Sequence, residues 1–424
     1  MSSEWIPFTD LLSTIVDNRG RTCPVGEVGV PLIATNCVDR SNLYPSYATN
    51  RFVSEDTYKT WFRGHPQPGD ILFVCKGSPG RTNWVPDPVD FCIAQDMVAV
   101  RADPAKVYPK YLFAALRSSV VQIQIDNMHV GSMIPHFKKG DFGKLRIPVP
   151  TDSEQREIGD LYFTLCERIA TLRETNTTLE AIAQALFKSW FVDFDPVRAK
   201  QQGSDPQGMN AATAALFPDS FEASELGEVP KGWRIGKLGD LSDLNPESWT
   251  ARNHPETIAY IDLANIKDNE IGSIADFSFD EAPSRARRVL RSGDTIVGTV
   301  RPGNRSFAFI HEPASNLTAS TGFAVLRPIT VENTEFVYLA ATQDTSIEHL
   351  AHVADGGAYP AVRPDVVSGL QCVVPPSEVM TSFHGVTEPL LTQVCANQKQ
   401  VQTLATLRDT LLPRLISGQL RLPA

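Results

Sequence analysis

The 424-residue sequence lacks the marks of secreted, membrane-spanning and disulfide-stabilised proteins. Its seven cysteines are scattered and form no Cys-x-x-Cys pair, which argues against a disulfide framework or a zinc ribbon. No apolar run reaches the roughly 18 residues that are needed to cross a bilayer. The N-terminus has neither a basic segment nor a continuous apolar stretch, so we expect no secretory signal. These absences predict a cytoplasmic protein.

The sequence also lacks the common motifs of catalysis. It contains no Gly-x-x-x-x-Gly-Lys-Ser/Thr phosphate loop, no Gly-x-Gly-x-x-Gly and no Gly-x-Ser-x-Gly. Asp87 and Asp90 lack the nearby lysine of a metal nuclease, and His349 and His352 lack a third metal ligand. We therefore expect no catalytic residue, metal or cofactor in this chain, and we favour a binding module over an enzyme.

An internal repeat accounts for most of the length. Four segments recur in the same order at an offset of 224–226 residues. The matched segments are 69–81 with 293–305, 98–101 with 324–327, 129–135 with 354–360, and 145–150 with 370–375. Chance explains one such match but not four in order. Because short strand-like runs and turns fill both copies, the sequence predicts an α+β fold with two mixed α/β domains in pseudo-two-fold tandem repeat.

A long helix is predicted to follow each mixed domain. Thr151 and Glu154 form a Thr-x-x-Glu capping box, and apolar residues then recur at spacings of four and three. This heptad seam comprises Ile158, Tyr162, Leu165, Ile169, Leu172, Asn176, Leu179, Ala183, Leu186 and Trp190. The predicted boundaries are 1–150 and 229–375 for the mixed domains, 151–195 and 376–424 for the helices, and 196–228 for a linker.

The repeat offset predicts a second seam, from Phe383 to Leu415, which is imperfect at Thr387 and at Arg408, where Leu407 is the alternative seam residue. Two proline residues interrupt the second helical pattern, and we expect the helix to begin, kink or end there; they are Pro389 and Pro413. The two seams are predicted to pack on each other as an antiparallel coiled coil, although each helix packing only on its own domain stays open.

A polar residue in each seam makes the helix pairing testable. In an antiparallel pair centred on the two seams, Asn176 lies opposite Asn397. A buried amide pair in an apolar seam costs stability but selects one register. We therefore predict that these two amides meet and set the register of the helix pair.

The net charge of −10 argues at first against a nucleic-acid partner, but the charge is unevenly distributed. Residues 151–228 carry −8 of it, which indicates a surface for protein docking. Residues 285–305 carry a net charge of +5, and basic side chains also gather in the first copy. Arginine, lysine and asparagine bind phosphates and base edges, so equivalent basic turns in both copies favour DNA contact over ordinary solvated loops. The predicted DNA-binding residues are Lys76, Ser78, Arg81, Asn83, Lys138, Lys139, Arg285, Arg287, Arg288, Arg291, Arg301, Asn304, Arg305, Tyr359 and Arg363.

The repeat and two specific stretches resemble the specificity subunit of Type I restriction-modification systems. The stretches are Pro148–Ile158, which contains Glu-Gln-Arg-Glu-Ile, and Leu179–Phe194, which ends Phe-Lys-Ser-Trp-Phe-Val-Asp-Phe. The C-terminal run Leu412–Gly418 is similar to the conserved last helix of that family. The second copy departs from the pattern after Pro376, where Ser-Glu-Val-Met replaces the Glu-Gln-Arg motif.

This resemblance implies that the chain recognises DNA and does not itself catalyse a reaction. Each mixed domain would be a target recognition domain that reads one half of a bipartite, asymmetric site in double-stranded DNA, and the helices would act as a spacer. Two modification subunits, carrying S-adenosylmethionine, would methylate adenine, and restriction subunits would supply ATP- and Mg-dependent translocation and cleavage. The partner-docking residues implied by the matching stretch are Phe187, Trp190, Phe191 and Phe194.

Two alternatives remain at the level of sequence. The chain could serve a related phage-defence methyltransferase that has no nuclease partner. It could also be a helical scaffold that no longer reads DNA. The DNA sequence recognised does not follow from these residues.

Overall fold

The computed structural model describes residues 4–18, 22–128, 131, 134–225, 227–357 and 359–421, so most of the repeated segment 129–135 lies outside it. The chain divides into two compact units. Unit 1 comprises residues 1–174 and 399–424, and unit 2 comprises residues 175–398. Both boundaries fall inside long helices, so each unit contains one mixed domain and parts of both helices.

Unit 1 holds the first mixed domain. Its described strands are β1 (Glu4–Pro7), β2 (Leu12–Val16), β3 (Val30–Ile33), β4 (Phe52–Val53), β5 (Ile71–Val74), β6 (Thr82–Trp84), β7 (Cys92–Ile93), β8 (Met97–Ala102) and β9 (Arg146–Val149). Its helices are α1 (Glu55–Thr60), α2 (Pro109–Arg117) and α3 (Ser119–Met128), followed by the long helix α4 (Asp152–Phe191).

Strand β5, the central strand of unit 1, is buried on both faces, as its unbroken apolar sequence predicts. Because side chains alternate across a strand, Ile71 and Phe73 enter the core shared with α2, while Leu72 and Val74 enter a second core on the other face. Strand β5 lies between β8 and β6 in a four-stranded antiparallel sheet of order β2-β8-β5-β6.

Unit 2 holds the second mixed domain. Its described helices are α5 (Asp195–Gln201), α6 (Ala211–Ala215), α7 (Thr334–Thr342), α8 (Asp344–His352), α9 (Pro364–Ser368) and the long α10 (Ser377–Ile416). Its strands are β10 (Phe221–Ser224), β11 (Gly227–Pro230), β12 (Arg234–Lys237), β13 (Ser242–Leu244), β14 (Thr257–Ile261), β15 (Ile266–Lys267), β16 (Glu270–Ile271), β17 (Ala275–Ser278), β18 (Ala286–Val289), β19 (Thr295–Gly298), β20 (Phe307–Phe309), β21 (Leu317–Ser320), β22 (Phe323–Pro328) and β23 (Gln371–Val374).

The two mixed domains have the same topology. The sheet β2-β8-β5-β6 of unit 1 corresponds to β13-β22-β19-β20 of unit 2. The parallel pair β3–β7 corresponds to β14–β21, and the antiparallel pair β1–β9 corresponds to β12–β23. The repeat and the α+β fold class predicted from the sequence are therefore confirmed.

A buried ion pair recurs at the start of each central strand. Asp70 binds Arg101 through two hydrogen bonds, Nε to Oδ1 at 2.7 Å and Nη2 to Oδ2 at 3.0 Å. Asp294 binds Arg327 in the same way, at 2.8 and 2.9 Å. Both carboxylates are almost completely buried. A bidentate pair satisfies a buried carboxylate, which explains why this Asp and Arg recur in both copies.

The long helices α4 and α10 run antiparallel within each unit. In unit 1, Tyr162 shares a core with Leu412 and Leu415, and Leu172 packs with Val401. Glu154 accepts a hydrogen bond from the backbone N–H of Thr151 at 3.1 Å, as the predicted capping box requires. Among the described residues, no helix has a long enough apolar stretch to cross a membrane.

The predicted amide contact is present in unit 2. Asn397 Nδ2 donates to Asn176 Oδ1 at 2.8 Å, and both side chains are buried. Asn176 Nδ2 also donates to the carbonyl oxygen of Val394 at 3.3 Å. The contact is confirmed, whereas the role of the pair in selecting the register stays a prediction.

Helix α10 continues through Pro389 and Pro413, so it neither begins nor ends at either residue, whereas a kink there stays a prediction. The expectation that Leu407 replaces Arg408 in the seam is wrong. The seam position is occupied by Arg408, which is buried, while Leu407 is exposed. Arg408 reaches Asp409 with its guanidinium, so its charge is paired while its aliphatic part fills the seam.

The segment 196–228 is not a free linker. It contains α5, α6 and the β10–β11 hairpin, and Val197 and Phe217 belong to the main core of unit 2. Asn210 caps α6 by accepting a hydrogen bond from the N–H of Thr213 at 2.8 Å. The segment is mostly polar, so its sequence gave little sign of the few apolar residues that pack into the core.

The four predicted partner-docking aromatics also belong to the core of unit 2. Phe187, Trp190, Phe191 and Phe194 are between 2% and 7% exposed. Phe191 lies at 4.7 Å from Phe383, 5.0 Å from Phe336 and 5.9 Å from Trp233, measured between ring centroids. The docking prediction for these side chains is wrong, because a side chain enclosed by its own domain offers no surface to a partner.

A hairpin tip in unit 2 joins the mixed domain to both helices. Asn269, between β15 and β16, donates from Nδ2 to Glu180 Oε1 of α4 at 2.6 Å. Gln398 Nε2 of α10 donates to the carbonyl oxygen of Asn269 at 2.7 Å. Burial raises the pKa of Glu180 to about 7, although the hydrogen bond from Asn269 acts in the opposite direction.

Candidate DNA interface

Each unit presents a basic turn directly after its central strand. We call residues 75–81, after β5, the unit 1 turn and residues 299–305, after β19, the unit 2 turn. The two turns align at an offset of 224 residues, so Arg301 corresponds to Gly77 and lies one position after the equivalent of Lys76. Lys76 and Arg301 are both exposed. The two turns are the places where sequence reasoning predicted DNA contacts in both copies.

A second predicted segment lies beside the unit 1 turn. The N–H of Gly77 donates to the carbonyl oxygen of Pro135 at 2.9 Å, and the N–H of Phe137 donates to that of Cys75 at 2.8 Å. These hydrogen bonds bring the following two lysines, which are Lys138 and Lys139, next to the turn. Lys138 is exposed, while the Nζ of Lys139 lies 3.2 Å from a carboxylate oxygen of Asp17.

The unit 2 turn is held in the same way. The N–H of Arg301 donates to the carbonyl oxygen of Pro360 at 2.7 Å, and the N–H of Val362 donates to that of Thr299 at 2.9 Å. The predicted residues Tyr359 and Arg363 therefore lie beside the turn. The Arg301 guanidinium carbon is 4.8 Å from the centroid of the Tyr359 ring, which is 73% exposed. A cation over an exposed aromatic ring is suited to contact with a phosphate and a sugar or base.

The backbone of the unit 2 turn is strained. Arg301 and Arg305 have φ values of 49° and 60°. These lie in the left-handed region, which residues other than glycine, asparagine and aspartate rarely adopt. The unit 1 turn meets the same demand with Gly77 and Gly80, at 87° and 81°. Strained residues concentrate at functional sites, where the surrounding structure holds them in place.

Asn83 is not at this surface, and its prediction as a DNA contact is wrong. Its side chain is fully buried in unit 1 and accepts a hydrogen bond from the N–H of Asp39 at 3.0 Å. Its Nδ2 donates to the carbonyl oxygens of Asp39 and Asn42 at 3.0 and 2.7 Å. The amide therefore anchors a neighbouring loop, because all of its hydrogen-bonding capacity is used inside the domain.

Ser78 and Arg81 line a separate cleft on the unit 1 turn, together with Arg40, Asp39 and Asp126. Arg81 Nη1 lies 3.9 Å from Asp39 Oδ2. Burial acts to raise the pKa of Asp39, but hydrogen bonds from Ser41 and the charges of Arg81 and Arg117 lower it below its usual value. The positive charge of Arg81 is thus partly compensated within the cleft.

The arginine cluster of residues 285–291 does not form one open basic patch. Arg291 binds Glu247 through two hydrogen bonds at 3.3 and 2.8 Å, and Arg285 Nη2 lies 2.8 Å from Asp262 Oδ2. The other two residues of the cluster, Arg287 and Arg288, are half-buried. The Arg287 guanidinium lies over Phe279, and Arg288 Nη1 donates to Ser248 Oγ at 3.3 Å. Carboxylates distant in sequence thus pair with two of the four arginines of this cluster.

Within the unit 2 turn, Asn304 is exposed but Arg305 is not free to face DNA. Arg305 Nη1 hydrogen-bonds Asp344 at 2.7 Å, and Arg305 Nε bonds Asp268. Arg305 also lines a cavity with Glu180 and Gln184 of α4. Its guanidinium thus links two segments of the mixed domain of unit 2 through Asp268 and Asp344. The prediction that Arg305 contacts DNA therefore loses support.

Sequence reasoning missed two residues beside the basic turns. They lie at the corners where the chain passes from β7 to β8 in unit 1 and from β21 to β22 in unit 2. Gln95 and Thr321 are equivalent exposed residues at these corners, and Arg63 and His136 line the same cleft as Gln95 and Lys76. The repeat offset of 226 residues that pairs Val98 with Ala324 also pairs the two corners, so extending that match by three residues finds them. Among the described residues, no group of three or more His, Cys, Asp or Glu side chains is arranged to hold a metal ion.

Comparison with known proteins connects this architecture to one family. Residues 32–181 match the model of the Type I restriction modification DNA specificity domain. The chain is 24% identical over 323 residues to the specificity subunit of the Type I restriction enzyme MjaIX from Methanocaldococcus jannaschii, covering 74% of this chain and 70% of that protein. It is also 24% identical over 407 residues to the HindI specificity subunit from Haemophilus influenzae, covering 83% and 86% of the two chains.

A solved structure has the same fold. The crystal structure of the Type I restriction-modification S subunit from M. genitalium aligns with a TM-score of 0.55 at 16% sequence identity, covering 98% of this chain and 96% of that one. In sequence the chain is therefore similar to the specificity subunits of Type I restriction-modification systems, and in fold it is similar to one solved S subunit.

Proposed function

We propose that this chain reads a bipartite, asymmetric DNA site for a Type I restriction-modification complex and contributes no catalysis of its own. Each mixed domain would bind one half-site. The observation that carries the proposal is the basic turn that recurs after the central strand of both units and exposes Lys76 in unit 1 and Arg301 in unit 2. Cations at such turns bind phosphates and orient the domain on the duplex.

The chemistry would belong to partner subunits. Two modification subunits would bring S-adenosylmethionine and methylate adenine, and restriction subunits would bring ATP- and Mg-dependent translocation and cleavage. The acidic charge of residues 151–228 supports protein docking there. Because the aromatics of α4 are buried, docking would use exposed side chains such as Ile182 on α4 and Val192 just after it.

The methylated sequences of a host that expresses the whole system test this proposal. We expect a bipartite motif with methylated adenines. Lys76→Ala should weaken or relax one half of the motif and Arg301→Ala the other half, so each variant is the matched control of the other. A motif in one block, or loss of the same half in both variants, would contradict the proposal.

The same strain separates the remaining possibilities. A bipartite motif without restriction of unmethylated phage, and without a large ATP-dependent subunit in the purified complex, would indicate a methyltransferase that lacks a nuclease partner. A purified complex that produces no methylated motif would indicate a scaffold.

A further inference from the structure

Residues 95 and 321 lie at equivalent corners of the two mixed domains. In unit 1 the chain leaves β7, which pairs in parallel with β3, and enters β8 of the four-stranded sheet through Gln95 and Asp96. In unit 2 it leaves β21, which pairs in parallel with β14, and enters β22 through Thr321 and Gly322. Each corner therefore projects one side chain from the junction of two sheets.

Each corner holds its basic turn through a backbone carbonyl oxygen, and one of its two hydrogen bonds is common to both units. In unit 1 the carbonyl oxygen of Asp96 accepts from the N–H of Cys75 at 2.9 Å and from that of Lys76 at 3.2 Å. In unit 2 the carbonyl oxygen of Gly322 accepts from the N–H and the hydroxyl of Thr299, both at 2.8 Å. Gln95 and Thr321 are therefore the residues directly before those whose carbonyl oxygens hold the turns.

The frameworks are alike, but the side chains that they present differ. Gln95 and Thr321 are both exposed, and neither side chain makes a hydrogen bond within the described residues. Gln95 lines an open cleft with Arg63, Lys76 and His136, and the cleft is also lined by Asp17 and Asp96. A duplicated framework that offers an unengaged amide in one copy and an unengaged hydroxyl and methyl group in the other is what two readers of different half-sites require.

We propose that residues 95 and 321 determine base specificity, one in each half-site. The proposal rests on the DNA-reading function proposed above. Phosphate contacts by Lys76 and Arg301 would set the position of each domain, and the corner side chain would reach a base edge beside them. The Gln95 amide can bond N6 and N7 of adenine together, so unit 1 would read an A·T pair at this position. Thr321 would contact a thymine methyl group or hydrogen-bond a base edge in the other half-site.

Competition binding tests this assignment in the complex of the chain with its modification subunits. The DNA probes are the methylated motif of the wild type and duplexes that carry each single base-pair change. Gln95→Ala should reduce discrimination at one position of the unit 1 half-site by roughly 5- to 150-fold and leave the other half unchanged. Thr321→Ala should relax one position in the other half-site.

Two further variants separate base reading from folding. Gln95→Glu keeps the shape of the side chain but can only accept hydrogen bonds, so preference at that position should move from adenine towards cytosine. Gln67 is exposed and precedes β5, at the end of the strand opposite the basic turn. Gln67→Ala is therefore the control and should leave base discrimination unchanged.

The possible results are distinct. A wild-type bipartite motif with unchanged discrimination in Gln95→Ala would overturn the assignment and leave the proposed function intact. Equal weakening of all duplexes by Gln95→Ala would also overturn it, because that pattern indicates a phosphate or structural contact. Absence of any motif for the wild type would refute the proposed function and, with it, this inference.

Discussion

Glu180 provides a sharp test of the packing in unit 2. Its carboxyl group lies between α4 and the tip of the β15–β16 hairpin, where it accepts the hydrogen bond from Asn269. Burial raises its pKa from 4.5 to about 7. Folding therefore favours the protonated carboxyl, and this contribution to stability is complete below about pH 4.5 and is lost as the pH rises through about 7.

The magnitude follows from the pKa values. One pKa unit corresponds to about 1.4 kcal/mol, so the change from 4.5 to about 7 amounts to about 3 kcal/mol. Glu180→Gln keeps the oxygen that accepts from Asn269 but cannot ionise. We therefore expect this variant to be more stable than the wild type at pH 8 by up to about 3 kcal/mol, and to match it near pH 4.5.

Urea unfolding of the full chain at a series of pH values measures this difference. Hydrogen exchange of residues 266–271 reports on the hairpin itself. Glu348→Gln, at an exposed position of α8, is the control and should leave the pH dependence of the wild type unchanged. Equal stability of Glu180→Gln and the wild type at pH 8 would refute the reasoning, since it would mean that the buried carboxylate ionises without cost.

Two other predictions concern buried polar pairs in unit 2. Asn397→Leu alone leaves the amide oxygen of Asn176 without its donor and should cost about 1–3 kcal/mol, whereas the double change to leucine at both positions should recover that loss. Equal melting temperatures for the single and double variants would contradict a direct amide contact. Asp294→Ala leaves the Arg327 guanidinium with Glu247 as its remaining carboxylate partner and should lower the free energy of unfolding by about 3 kcal/mol, with Asp294→Asn less damaging. A shift below about 0.5 kcal/mol in urea unfolding would show that the pair is dispensable.

Local sequence signals were sufficient for the architecture. The repeat and the fold class follow from the matched segments, and the two long helices follow from the apolar spacing, all of which can be read directly from the sequence. The contact between Asn176 and Asn397 could be predicted for the same reason, because the repeat offset relates the two seams. The sequence also located the basic turns, since each follows a Gly-Asp pair and a short apolar run, at Gly69-Asp70 and at Gly293-Asp294.

Only the tertiary structure determined which side chains are available. The sequence places Asn83 in a basic turn and Phe191 in a candidate docking stretch, yet both are buried by segments far away in the chain. Arg291 and Arg305 look equally basic, but Glu247, Asp268 and Asp344 neutralise them across the fold. Exposure and charge pairing arise from contacts between distant residues, and no local pattern records them. The sequence alone thus determined the repeat and the fold, whereas packing decided which residues of each repeat remain exposed.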